Sequence, residues 1–139
     1  MRSRSRPSRS SWRAGTSRSR SELELEQGLA LIGSGEYFAA HEVLEDVWRA
    51  AAPKERDFFQ GLVHVAVAWY QAGRGNRVGC ERQLEKAARR LGPYGPAHRG
   101  VDVAGLLAQV EAARGAFPHL PPVQVSRELP PASDRQSEG

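Results

Sequence analysis

A chain of 139 residues with 40% hydrophobic content has material for one modest domain and a single core, and leaves none for a second globular domain. The one cysteine, Cys80, excludes an intrachain disulfide, fits a reducing compartment and reads as a small apolar core side chain; no apolar run approaches the roughly 18 residues of a membrane helix, and no apolar segment of a secretory signal follows the arginine-rich start, so a cytoplasmic protein without a membrane partner is expected. The net charge of +4 misleads, because residues 1–20 hold seven arginines and no acidic residue, and the remainder carries 13 basic against 16 acidic side chains, a net −3.

Residues 1–20 alternate arginine with serine and cannot bury enough apolar surface to offset the entropy of ordering, so a disordered tail is expected. Two readings of this tail stay open: a weak electrostatic arm for nucleic acid or anionic membranes, and a dispensable extension. A nucleic-acid-binding domain more often carries its basic residues as a patch on folded structure.

From Ser21 the pattern turns helical. Ser21 and Glu24 have the spacing of a capping box, Leu25, Leu29 and Ile32 share one face, and Gly33-Ser34-Gly35 ends the helix. A second helix is expected from about Glu36 to Ala51, where Tyr37, Ala40, His41, Leu44, Glu45 and Trp48 follow helical spacing, with Pro53 marking its end. The third, from about Lys54 to Ala72, is apolar around most of its circumference (Phe58, Phe59, Leu62, Val63, Val65, Val67, Trp69, Tyr70), the signature of a central helix.

Gly73-Arg74-Gly75-Asn76 supplies a glycine to end helix three and an asparagine to cap helix four, whose apolar stripe is Cys80, Leu84, Ala87, Ala88 and Leu91. Gly92-Pro93-Tyr94-Gly95-Pro96 interrupts the chain, Asp102 caps a fifth helix carrying Leu106, Leu107 and Val110, and prolines 118, 121, 122, 130 and 131 make residues 117–139 an extended or disordered tail. The expected architecture is all-α: a compact bundle of about five helices over residues 21–116 between disordered N- and C-terminal tails. His98 and His119 fall in loops rich in glycine and proline and are expected at the surface.

The segments Gly35-Glu36-Tyr37-Phe38-Ala39-Ala40-His41-Glu42-Val43-Leu44-Glu45 through Trp48, Phe59-Gln60-Gly61-Leu62, Arg74-Gly75-Asn76 and Val101-Asp102-Val103, in that order, resemble the domain of unknown function 309 family of small prokaryotic all-helical proteins. The resemblance spans roughly residues 26–110 and implies a compact multihelical fold, with no activity to transfer. One departure is Ala39, where the family pattern implies a glutamate before Ala-His-Glu; a site built on that carboxylate is not available here.

His41 and Glu45 project from one helix face, and Gln60 and His64 repeat the spacing on the next helix. If helices two and three are antiparallel neighbours, the four side chains can converge. Two imidazoles and a carboxylate make His41, Glu45 and His64 candidate ligands for a divalent metal such as zinc, while Tyr37, Glu42, Trp48 and Gln60 are candidate contacts for a bound ligand. The bland alternative is that the cluster makes buried hydrogen bonds that fix packing. A catalytic version uses His41 as general base tuned by Glu45, but has no nucleophile or oxyanion site. The zinc-peptidase spacing is not met, since Glu45 stands where the second histidine belongs, and no phosphate loop is present.

Three functions remain open. The first is a helical binding or scaffold module for an unidentified protein or small ligand, as monomer or homodimer. The second is a metal-dependent hydrolase using the same residues, and the third is nucleic-acid contact through the arginine-serine arm.

Overall fold

Two serines at the start of the first helix each have a glutamate three residues on, and the chain uses the earlier pair. In the computed structural model, which describes residues 19–127, helix α1 (Arg20–Gly33) is capped by Ser19, whose hydroxyl accepts the Glu22 N–H at 3.1 Å. Ser21 therefore lies in the first turn rather than at the cap. The rest of the arginine-serine arm, residues 1–18, is outside the described residues.

Helix α2 (Tyr37–Ala50) follows a turn closed by Gly35, at φ 82°. The Glu36 N–H donates to Leu31 O at 2.8 Å and the Gly35 N–H to Ile32 O at 3.0 Å, the paired bonds of a Schellman ending, which places Gly35 in the left-handed region that glycine adopts without strain. Helix α3 (Pro53–Gly73) begins on Pro53 itself, where the missing N–H would have had no intrahelical partner. Its end repeats the first turn: Gly75 has φ 76°, Asn76 N–H donates to Gln71 O at 2.9 Å and Gly75 N–H to Ala72 O at 3.0 Å. The terminating glycine is thus Gly75, not Gly73.

Asn76 then caps α4 (Arg77–Leu91), accepting the Gly79 N–H at 2.9 Å. After a 3₁₀ turn over Gly92–Tyr94, a two-residue hairpin pairs β1 (Ala97–His98) with β2 (Val101–Asp102) antiparallel, Ala97 opposite Asp102 and His98 opposite Val101. Asp102 caps α5 (Val103–Ala113) through the Gly105 N–H at 2.9 Å. Among the described residues the fold is the expected all-helical one, with five α-helices and one minimal sheet. None of these helices is long and apolar enough to cross a membrane.

Among the described residues the core is apolar throughout, with no polar or charged residue buried in it. Helix α3 is its centre, packed against α2 on one side and α4 on the other, and it buries Phe58, Phe59, Leu62, Val65, Ala66 and Ala68 almost completely. Cys80 is buried too, and burial pushes its thiol pKa up, consistent with an apolar core role. Glycines set two of the helix spacings: Gly28 of α1 faces Leu44 of α2, and Gly61 of α3 faces Leu91 of α4, each so closely that a Cβ would fall within 3 Å of the leucine side chain.

The proline-rich stretch after Phe117 forms no helix over residues 119–126, and it is packed rather than loose. The Trp69 indole N–H donates to Pro121 O at 2.7 Å, Val123 is 1% exposed, and the Gln109 amide exchanges two hydrogen bonds with the Gln124 backbone at 2.6 and 2.8 Å. The buried indole needs an acceptor, and a segment outside helix and sheet offers free carbonyls. Residues 128–139 lie outside the described stretch.

Candidate functional site

Helix α2 presents two polar rows. His41, Glu45 and Trp48 form a half-buried row at i, i+4, i+7, and Phe38, Glu42 and Asp46 form the exposed row beside it. His41 Nδ1 lies 3.3 Å from Phe38 O and so carries the proton in the neutral ring, leaving the Nε2 lone pair toward Glu45 Oε2 at 3.6 Å. That separation is too long for a hydrogen bond. Glu45 is shared with Arg49, whose guanidinium reaches Glu45 Oε1 at 3.4 Å and Asp46 Oδ1 at 3.2 Å. A general base held by its carboxylate is not formed.

The His41 ring instead belongs to an aromatic group. Its centroid is 5.3 Å from that of Phe38, which is 5.2 Å from Tyr70 of α3. Phe38, His41, Val67, Tyr70 and Gln71 line a cavity of about 190 Å³ between α2 and α3. Gln71 accepts from Asn76 Nδ2 at 3.1 Å, which leaves its own NH₂ as a donor.

His64 makes its contact elsewhere. Its Nδ1 is 2.6 Å from Gln83 Oε1 on α4, so the Nδ1–H donates there, while the buried Nε2 has no partner among the described residues. Burial pushes the His64 pKa down; the Gln83 bond opposes this, and the charges of Lys86, Arg90 and Arg89 reinforce it. Gln60, one turn earlier, is half-buried with no hydrogen bond among the described residues. His41 and His64 therefore address different neighbours, α2 itself and α4. Among the described residues no group of three or more His, Cys, Asp or Glu side chains is placed to hold a metal ion.

The remaining candidates divide. Trp48 is half-buried under the Arg56 guanidinium, 5.4 Å from its ring. Tyr37 is tied to the segment after Phe117, its hydroxyl accepting the Val123 N–H at 3.4 Å. Glu42 is exposed and makes no hydrogen bond or ion pair among the described residues.

The lowered pKa of His64 has a consequence for stability. Protonating it in the folded state is harder than in the unfolded chain, so its contribution is complete above the unfolded value of about 6.5 and is lost as pH falls toward the lower folded value. Urea unfolding followed across this range shows stability falling with acid, and His64→Gln flattens that slope; an unchanged slope in the variant assigns it to other groups.

A second polar cluster had no signal in the sequence. His98, expected at the surface, is half-buried with its ring 4.6 Å from Phe58 and 4.8 Å from Tyr94. Its Nε2 and the Arg99 Nε–H both meet Glu55 Oε1 at 2.8 Å, and the Tyr94 hydroxyl donates to Lys54 O at 2.8 Å. Burial pushes the Glu55 pKa up, but the bonds and charges of Arg99 and His98 outweigh it and hold the carboxyl below its ordinary value. This cluster fastens the β-hairpin to the start of α3. Glu55 and His98 are 43 residues apart, beyond any local spacing rule. His119 is exposed, as expected.

Residues 25–83, from α1 to the middle of α4, match the family model described as Domain of unknown function (DUF309). The Uncharacterized protein YpuF of Bacillus subtilis (strain 168) is 36% identical over 72 residues, which are 51% of this chain and 40% of that protein. The match thus covers less than half the length of that relative, whose name carries no activity. The chain resembles the DUF309 family over residues 25–83, the stretch that holds both walls of the cavity beside His41.

Proposed function

We propose that this domain is a recognition module whose cavity between α2 and α3 takes an apolar, preferably aromatic, side chain of a partner protein. The observation that carries the reading is Phe38, a large apolar residue left 49% exposed at the rim of that cavity, with its ring against His41 and Tyr70. Exposed aromatic surface beside a concavity is the kind of surface that partners cover, and a mostly apolar pocket with a few convergent polar groups is the usual form of a binding site. The Gln71 NH₂ is such a polar group, a donor, while His41 contributes its ring to the wall. The hydrolase reading lacks comparable support, because the 3.6 Å gap between His41 and Glu45 and the separate engagement of His64 leave no assembled set of ligands or base.

Indole is a suitable probe. Titrated into the full chain and followed by ¹H–¹⁵N spectra, it produces saturable shifts at Phe38, His41, Val67, Tyr70 and Gln71. Val67→Phe fills the cavity and abolishes them while the thermal transition is retained. Shifts that do not saturate, or that persist in Val67→Phe, overturn the reading.

A further inference from the structure

Among the described residues three large apolar side chains stand exposed: Leu23 at 50%, Phe38 at 49% and Val78 at 60%. Two of them head matching rows. On α2, Phe38 is followed at four-residue spacing by Glu42 and Asp46, and all three are exposed. On α4, Val78 is followed at the same spacing by Arg82, which is exposed, and Lys86, which is half-buried. Residues four apart share a helix face, so each row is a ridge about 12 Å long, with an apolar side chain first and two charges after it in chain order. Only the sign of the charges differs. Leu23 heads no such row, since Gln27 and Leu31 follow it.

The charges on both rows are available. Glu42, Arg82 and Lys86 make no hydrogen bond or ion pair among the described residues. Asp46 meets Arg49 of its own helix at 3.2 Å, but the two side chains are 67% and 62% exposed, and such surface pairs are weak. By contrast Arg20, Arg77, Arg90 and Arg114 each stand beside a carboxylate of the same chain. Val78 and Arg82 also line an open hollow of about 510 Å³ with Glu81, Glu85 and Arg114, which leaves room for a ring the size of that of Phe38. Helix α3 separates α2 from α4, so one chain cannot bring its own two rows together.

We propose that α2 of one copy docks on α4 of a second copy, the two helices parallel, with Phe38 against Val78, Glu42 against Arg82 and Asp46 against Lys86. An antiparallel pairing centred on Glu42 and Arg82 sets Lys86 against Phe38 and Asp46 against Val78, and so loses the apolar contact and one charge pair. Farther along, α2 carries Glu45 and Arg49 and α4 carries Glu85 and Arg89 at equal spacing, and taken diagonally these are again of opposite sign. This rests on the reading of Phe38 as a residue that a partner protein covers, and it names that partner. Because the rows are different surfaces on opposite sides of α3, each copy keeps one row free after docking, and association continues head to tail. Contacts of less than about 1,200 Å² give weak, transient association, and a pair of three-turn ridges is of that kind, so assembly is expected at high protein concentration and low salt.

Sedimentation equilibrium of the full chain at low salt provides the test, with a thermal transition confirming that each variant is folded. The mean mass of the unaltered chain rises with concentration, and raised salt lowers it again. Glu42→Lys with Asp46→Lys leaves a chain with two basic rows, and Arg82→Glu with Lys86→Glu a chain with two acidic rows; each alone stays single. Mixed in equal amounts they associate, because each supplies the row that the other has lost. The chain carrying all four substitutions, whose net charge is that of the unaltered one, associates by itself. Phe38→Ser weakens association several-fold with no change of charge. An unaltered chain that stays single up to millimolar concentration overturns the inference, as does association that survives in either charge-reversed chain, or a four-substitution chain that stays single. Indole distinguishes two failures: if the chain stays single while indole still gives saturable shifts at Phe38, only the second copy is lost as partner, whereas if indole does not bind either, the reading of the cavity falls too.

Discussion

Gly61→Leu costs the fold about 3 kcal/mol, the upper end of the range for overpacked interiors. A Cβ built on Gly61 stands 2.6 Å from Leu91 Cγ and 2.7 Å from its Cδ2, with Arg90 Cβ at 3.3 Å. Leu91 is fully buried, so its side chain has no free space into which to turn. Replacing glycine inside a helix ordinarily gains about 1 kcal/mol, and Gly61→Ala separates that gain from the clash. The alanine variant comes out less stable than the unaltered chain despite its better propensity; if urea unfolding finds it more stable, α4 yields to α3 at no cost and the close approach is incidental. Widening the α3–α4 spacing also draws Gln83 away from His64, so in Gly61→Leu the imidazole signals of His64 move even under conditions where the chain remains folded.

Phe58→Ala is expected to cost about 3–5 kcal/mol, as for other large rings removed from a closed core. Phe58 is fully buried, with ring centroids 5.2 Å from Phe59, 5.5 Å from Tyr94 and 4.6 Å from His98. It is the shared wall between the α3 core and the hairpin cluster, so its loss has a local signature as well as a global one. Denaturant unfolding reads the first. The second is the disappearance of the ring-current shift on the His98 imidazole, which faces Phe58 edge-on. A loss below about 1 kcal/mol, with the His98 signal unmoved, places the cohesion of the hairpin in the Glu55 bonds alone.

The helices and most of their ends were legible because they depend on neighbours within one turn. Asn76 and Asp102 cap as their spacing implied, and the apolar rows of α1, α3 and α4 supply most of the buried core, with Val67, Tyr70 and Ala88 half-buried at its edge. Where two local solutions were equivalent, the choice was not legible: Ser19–Glu22 and Ser21–Glu24 offer the same capping geometry, and only the two further helical residues, about half a turn, distinguish them. The candidate site shows the same division. The spacing of His41 and Glu45 correctly put them on one face of α2, but i, i+4 spacing says nothing about which neighbour that face meets. On α3 the face of His64 turns to Gln83 on α4, and the residues that enclose His41 are Val67, Tyr70 and Gln71. Phe38, the residue that most marks the pocket, follows no polar or metal-binding pattern. The packing of the segment after Phe117 was hidden for a related reason, since prolines rule out helix without saying against what the chain lies.

The segment after Phe117 also bears on the order in which the molecule is completed. Val123 closes on Tyr37 across 86 residues and Pro121 on Trp69 across 52, so these contacts exist only after the helices they bridge have assembled. During synthesis the Tyr37 hydroxyl and the Trp69 indole lack these partners until the chain beyond Phe117 has left the ribosome, and making the two bonds closes long loops. A nascent chain stalled before Pro121 presents an assembled helical array with an unsatisfied indole at its seam, a folding state distinguishable from the finished protein by the exposure of Trp69.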